Sequence, residues 1–190
     1  MSWVGQITRA EILEQHLGRT EEAVTANIER VLGRRLPDGF VEARRAAYTR
    51  EFTSRLTPVR GVRRAVERLQ QLGHDTCVAS SGSYERLNLT LGLTGLGDLF
   101  EGRIYSADDV PRGKPAPDLF LLAAERMRYD PGACLVIEDS PSGVQAASAA
   151  GMRVIGYAGL IPERALSEAD EVIDDMAHLV SAVERIGRPV

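Results

Sequence analysis

Apolar and polar positions along the chain follow two different rhythms, and the change falls near Pro58. Residues 8 to about 57 carry helical spacing only. Thr8 with Glu11 forms a capping box, Ile12, Leu13 and Leu17 follow, and Val24, Ile28, Val31 and Leu32 make a second stripe. The stretch LPDGF (36–40) breaks the pattern before a third helix carrying Val41, Tyr48 and Phe52. From Pro58 onward helix and strand signals alternate. Val62, Ala65, Val66, Leu69 and Leu72 predict a helix stopped by Gly73, and DTCVASS (75–81) predicts a short buried strand. A helix over 84–93, a strand at GRIYSA (102–107) and a helix over about 117–127 come next. The strand CLVIED (134–139), a helix over about 142–150, the strand MRVIGYA (152–158), the strand EVIDD (171–175) and a terminal helix complete the series. Such alternation predicts an α/β fold in which a parallel sheet carries helices on both faces.

Composition narrows the class. At 190 residues, 44% hydrophobic and 26% charged, the chain can bury a core as one domain, or as one domain with a small insertion. The net charge of -4 gives no basic footprint for nucleic acid, and the arginines between Arg60 and Arg68 are interleaved with apolar residues at helical spacing. No run approaches the roughly 18 to 20 apolar residues of a membrane span, and no basic-then-apolar leader opens the chain, so a cytoplasmic location is expected. Cys77 and Cys134 sit inside apolar runs, without the spacing of a metal site or a disulfide framework, and read as small buried hydrophobes.

In open parallel sheets ligands bind beyond the carboxyl ends of the strands, so the polar residues closing each apolar run carry the chemistry. The 75–81 strand ends in Ser80, Ser81, Gly82 and Ser83, just before a helix, where hydroxyls and free N–H groups suit a phosphate and equally suit an ordinary cap. Lys114, the one lysine among 23 basic residues, stands in RGKPAPDLF (112–120), where Pro115 and Pro117 stiffen the loop. A lone lysine in an arginine-rich chain suggests a site that needs a compact ammonium. Glu138 and Asp139 close the strand CLVIED. Adjacent carboxylates repel unless a cation or a donor network offsets them, so they suit magnesium, and they also suit capping of the helix that follows. Taken together, the hydroxyl loop, the lysine and the acid pair describe a site for a magnesium-bound phosphoryl group.

The stretches VASSGS (78–83), RGKPAPDLF (112–120) and VIEDSPSGVQAASAAGM (136–152) resemble the second, third and fourth motifs of the haloacid dehalogenase superfamily, in order and in register. The nearest branch is that of the β-phosphoglucomutases, phosphoglycolate phosphatases and sugar-phosphate phosphatases. The resemblance implies a Rossmann-like core over residues 58–190 and a partial helical cap over 1–57. It also implies site roles: Ser80 with Ser81 and Gly82 on the phosphoryl group, Lys114 on that group and on the nucleophile, and Asp139 with Glu138 on magnesium. WVGQITRAE (3–11) resembles the cap segment that reaches over the substrate, which makes Arg9 a candidate substrate contact.

Members of that family open with a strand ending in Asp-x-Asp-Gly, whose first aspartate attacks phosphorus and whose second is the general acid and base. No such motif occurs in the 190 residues. The expected core therefore lacks its first strand, which in the family lies centrally, between the strands of VASSGS and VIEDSPSG. An upstream start or a truncated gene is the favoured explanation. An intact protein is expected to be a monomer, whereas a chain with such a gap is prone to self-association. Two functions follow: a magnesium-dependent phosphatase on a small phosphorylated metabolite, with a phosphomutase as its near alternative, or a remnant that binds phosphate without turning it over.

Overall fold

A computed structural model describes residues 16 to 187 of the chain. The capping box at Thr8, the apolar positions Ile12 and Leu13, and Arg9 lie outside the described residues. Leu17 does not continue a helix, because residues 16–18 form a turn. Two helices follow, α1 (Glu21–Leu32) and α2 (Phe40–Arg55). The Thr20 hydroxyl caps α1 by accepting from the Ala23 N–H at 3.3 Å, and Gly33 ends it with a left-handed φ of 64°. Neither helix buries a residue fully. Polar contacts join them: Glu21 receives Arg44 at 3.1 Å and Arg45 at 2.6 Å.

The α/β part runs α3 (Val62–Gln71), β1 (Val78–Ser80), α4 (Tyr84–Thr94), β2 (Ile104–Ser106), α5 (Asp118–Met127), β3 (Leu135–Glu138), α6 (Pro141–Ala149), β4 (Arg153–Tyr157), β5 (Glu171–Ile173) and α7 (Leu179–Ile186). Every predicted element from Pro58 onward is present. All pairings are parallel, but the strands form two sheets, β1–β2 and β3–β4–β5. Among the described residues no strand joins β1 to β3. The break lies where the sequence reading puts the absent central strand.

Backbone geometry gives that break a direction. The Val78 N–H donates to Arg103 O on the β2 side at 3.0 Å. Successive residues of a strand turn their peptide groups to opposite sides, so those of Ala79 face away from β2 and have no ladder partner among the described residues. The Ala79 carbonyl instead accepts from the Lys114 ammonium at 3.3 Å.

Three apolar clusters hold the layers. Phe120, Ala124, Val136, Val144 and Val154 pack on one face, with Ala79 against them, so α5 and α6 span the break. Ala65, Leu69, Ile155, Ile173 and Leu179 pack α3 and α7 on the other face. Val66, Leu99 and Phe100 underlie the two-stranded sheet. The expectation of helices on both faces is met. Cys77 and Cys134 are half-buried, and burial pushes the Cys77 thiol up to about 11. No helix among the described residues is long and apolar enough to cross a membrane.

Ile155, 0% exposed, sits in the middle strand of the larger sheet. Truncation there removes transfer energy and leaves a cavity. Ile155→Ala is expected to cost about 3 kcal/mol in urea unfolding, against under about 0.5 kcal/mol for Leu160→Ala, which is 54% exposed.

Candidate functional site

The site is assembled at the carboxyl ends of β1 and β3, on either side of the break. From β1 the chain enters the loop Ser80–Ser83. The Ser80 hydroxyl accepts the Gly82 N–H at 3.2 Å, and Ser83 caps α4 by accepting from Arg86 N. The Gly82 carbonyl accepts the Ser106 hydroxyl at 2.8 Å, which ties the loop to the end of β2. The Ser81 hydroxyl donates to Gly18 O at 2.7 Å.

From β3 the chain enters Glu138, Asp139 and Ser140. Ser140 caps α6 by accepting from Gly143 N, and Pro141 follows at the first helical position, where no backbone donor is needed. Glu138 is buried, and both its oxygens are engaged. One accepts from the Lys114 ammonium; the other accepts the Ser140 hydroxyl at 2.8 Å and the Asp139 and Ser140 N–H groups at 3.2 Å each. Asp139 is only partly buried. Burial, and then repulsion from Glu138, push its carboxyl above the usual range, and Lys114 offsets part of that. A carboxyl raised in the folded state favours folding below its unfolded value and loses that contribution as pH rises through the folded value. A cation beside Asp139 would reverse the sign.

Lys114 is delivered by the loop before α5, through a cis Lys114–Pro115 bond. It is 6% exposed, and its ammonium lies 4.5 Å from the centre of the Phe120 ring. It bridges the two sheets, bonding Ala79 O on one side and Glu138 on the other.

The structure thus brings Ser80, Ser81, Gly82, Lys114, Glu138 and Asp139 to one end of the fold, and Arg9 lies outside the described residues. The sequence reading missed three participants. Ser140 and Gly143 surround Glu138; the Ser-Pro pair at 140–141 is a cap signature that could have marked the first. The third is the turn at residues 16–18. Gly18 has φ +74°, its carbonyl binds Ser81, and the Leu17 carbonyl accepts the Ser142 hydroxyl at 3.2 Å. A side chain at Gly18 would meet Ser140 Oγ at 2.1 Å. No periodicity signals such a contact.

Beside the hydroxyl loop a cavity of about 290 Å³ opens between α1, α2 and α4, with Ser81 to Ser83 on one wall. On another wall Tyr48 and Phe52 stack at 6.1 Å, and the Arg86 guanidinium lies over both rings at 5.7 and 5.5 Å.

Several known proteins resemble this chain in sequence and fold. The chain is 37% identical to a bifunctional riboflavin kinase/FMN phosphatase of Arabidopsis thaliana over 68% of its own length, and spans 34% of that protein. It is 28% identical to the validoxylamine A 7'-phosphate phosphatase of Streptomyces hygroscopicus subsp. limoneus, covering 88% of this chain and 78% of that one. A crystal structure of a haloacid dehalogenase-like protein from Agrobacterium tumefaciens superposes with a TM-score of 0.79 at 30% identity, covering 96% of this chain and 85% of the other. The family model for haloacid dehalogenase-like hydrolases matches residues 5–151, and the chain belongs to that family.

Proposed function

We propose that the chain holds the phosphate- and magnesium-binding part of a phosphatase for a small phosphorylated metabolite, with residues 1–57 forming part of a cap over a core of 58–190. The observation that carries this reading is the meeting of a hydroxyl loop and an acid pair, at strand ends on either side of the break, with the one lysine between them. In this reading the Ser80 hydroxyl donates to a phosphoryl oxygen, the Ser81 hydroxyl and the Gly82 N–H turn to it from Gly18 O and Ser80 Oγ, Lys114 offsets its charge, and Arg9 is the substrate contact of the cap segment.

The donor set suits magnesium. Among the described residues no three His, Cys, Asp or Glu side chains converge, and magnesium needs no such cage, because it keeps waters and takes one or two carboxylates plus phosphate oxygens. Glu138 is engaged by the chain's own donors, which leaves Asp139 as the carboxylate open to a cation, with Glu138 adding charge behind it. Bound there, magnesium would neutralise phosphoryl oxygens and help orient them. The chain's own residues supply positioning and charge. The covalent step of the family, transfer to an aspartate and then to water, needs a nucleophile that the 190 residues do not provide in an Asp-x-Asp-Gly motif.

Absence of that motif also favours a second reading, a phosphate-binding chain without turnover of its own. Both readings share the metal assignment. Asp139→Asn is expected to weaken magnesium binding at least about tenfold in calorimetry. Asp109→Asn, whose carboxylate is bonded to the Tyr84 hydroxyl on the surface, should leave it within about twofold. Equal affinities for the two variants would remove Asp139 from the site.

A further inference from the structure

Lys114 is held by a chain of buried groups that ends in a helix N-terminus. Its partner Glu138 is 8% exposed, and Ser140, which donates to the far oxygen of Glu138, is 0% exposed. The Ser140 hydroxyl has a second duty: it accepts the Gly143 N–H at 3.1 Å and so caps α6. A hydroxyl has one proton to give and lone pairs to receive, so both bonds coexist. Gly143 leaves the space that the carboxylate fills, since a Cβ there would lie 2.0 Å from Glu138 Cδ. The first N–H groups of a helix carry partial positive charge, which favours a carboxylate at that place.

We infer that Glu138 is the counter-ion that positions Lys114, and that Ser140 and Gly143 are positioning residues that fix Glu138, leaving Asp139 to the cation. The inference rests on the reading of Lys114 as the cation facing phosphate only for its purpose, not for its geometry. A buried carboxylate held by Lys114 on one oxygen and by three donors on the other cannot turn toward a metal without breaking several charge-assisted bonds. A side chain as long as lysine keeps one rotamer in such a place only while its partner is itself fixed. The four groups therefore act as a relay from the start of α6 to the ammonium.

The single lysine makes this measurable in the full chain. Reductive methylation followed by mass spectrometry reads Lys114 apart from the α-amino group, and Lys114→Met shows which signal is which. Glu138→Gln and Ser140→Ala are expected to raise the labelling rate of Lys114 by about tenfold or more. Ser140→Thr, which keeps the hydroxyl, should stay within about threefold of the parent. Ser83→Ala removes the cap of a different helix and serves as the control for a merely structural loss. Gly143→Ala should label as Glu138→Gln does if it folds, and the other variants decide the matter if it does not. Unchanged labelling in Glu138→Gln, a fast Ser140→Thr, or a rise in Ser140→Ala matched by Ser83→Ala would overturn the relay. Tungstate should protect Lys114 in the parent; failure of that arm alone would overturn the phosphate reading and leave the relay standing.

Discussion

Lys114→Met is expected to abolish tungstate and fluoroberyllate binding, and the structure adds a cost that the sequence did not suggest. Read as a loop-end residue, the lysine should be removable without harm to the fold. It is instead buried, stacked on Phe120 and paired with a buried carboxylate, with side-chain exposures of 4% and 8%. Removing one partner of a buried ion pair leaves the other charge uncompensated, which costs about 3 to 5 kcal/mol. Lys114→Met should therefore lower the urea midpoint as well as anion affinity. Adding Glu138→Gln removes the stranded charge while keeping the hydrogen-bonding shape, so the double variant should recover most of the lost stability. Anion binding should not return, because the ammonium is still missing. A single variant that binds tungstate as tightly as the parent would show that the lysine has no part in the site.

The same residue shows where sequence reading reached and where it stopped. Periodicity located every α-helix and strand from Val62 to Ile186, because most of them cover an apolar stripe whose spacing is visible in one dimension, but it gave no sign of the short 3-10 turns between them, such as Gly97–Phe100 and Glu163–Leu166. The break between β1 and β3 was legible as well, since three motifs fixed the order of strands and the first motif had no counterpart. What stayed hidden depends on contacts between distant segments. Glu138 and Asp139 look equivalent as letters, yet one faces Lys114 and the start of α6 while the other has its carboxyl raised by burial and by its neighbour's charge. Leu17 reads as a helical position, yet its carbonyl and that of Gly18 are tied to Ser142 and Ser81, and those bonds hold a turn. Cys77 and Cys134 read as buried hydrophobes, yet each falls just before a strand, β1 or β3, and is only half-buried.

The 190-residue chain is expected to release no measurable phosphate from phosphomonoesters. Lys114, the hydroxyl loop and Asp139 can hold and neutralise a phosphoryl group, but holding does not replace the acceptor that divides the reaction into two steps. A strand carrying Asp-x-Asp-Gly and seated between β1 and β3 would deliver its carboxylates at the same strand ends, opposite Lys114. It would also give the peptide groups of Ala79, whose carbonyl is now met by the Lys114 ammonium, a ladder partner, so fold and chemistry should be restored together. The direct measurement is release of inorganic phosphate from a panel of sugar phosphates, with and without magnesium, by the 190-residue chain and by the same chain preceded by such a strand. Magnesium-dependent release by the extended chain alone is the expected result. Robust magnesium-dependent release by the 190-residue chain would contradict it and would place the nucleophile among the residues already present.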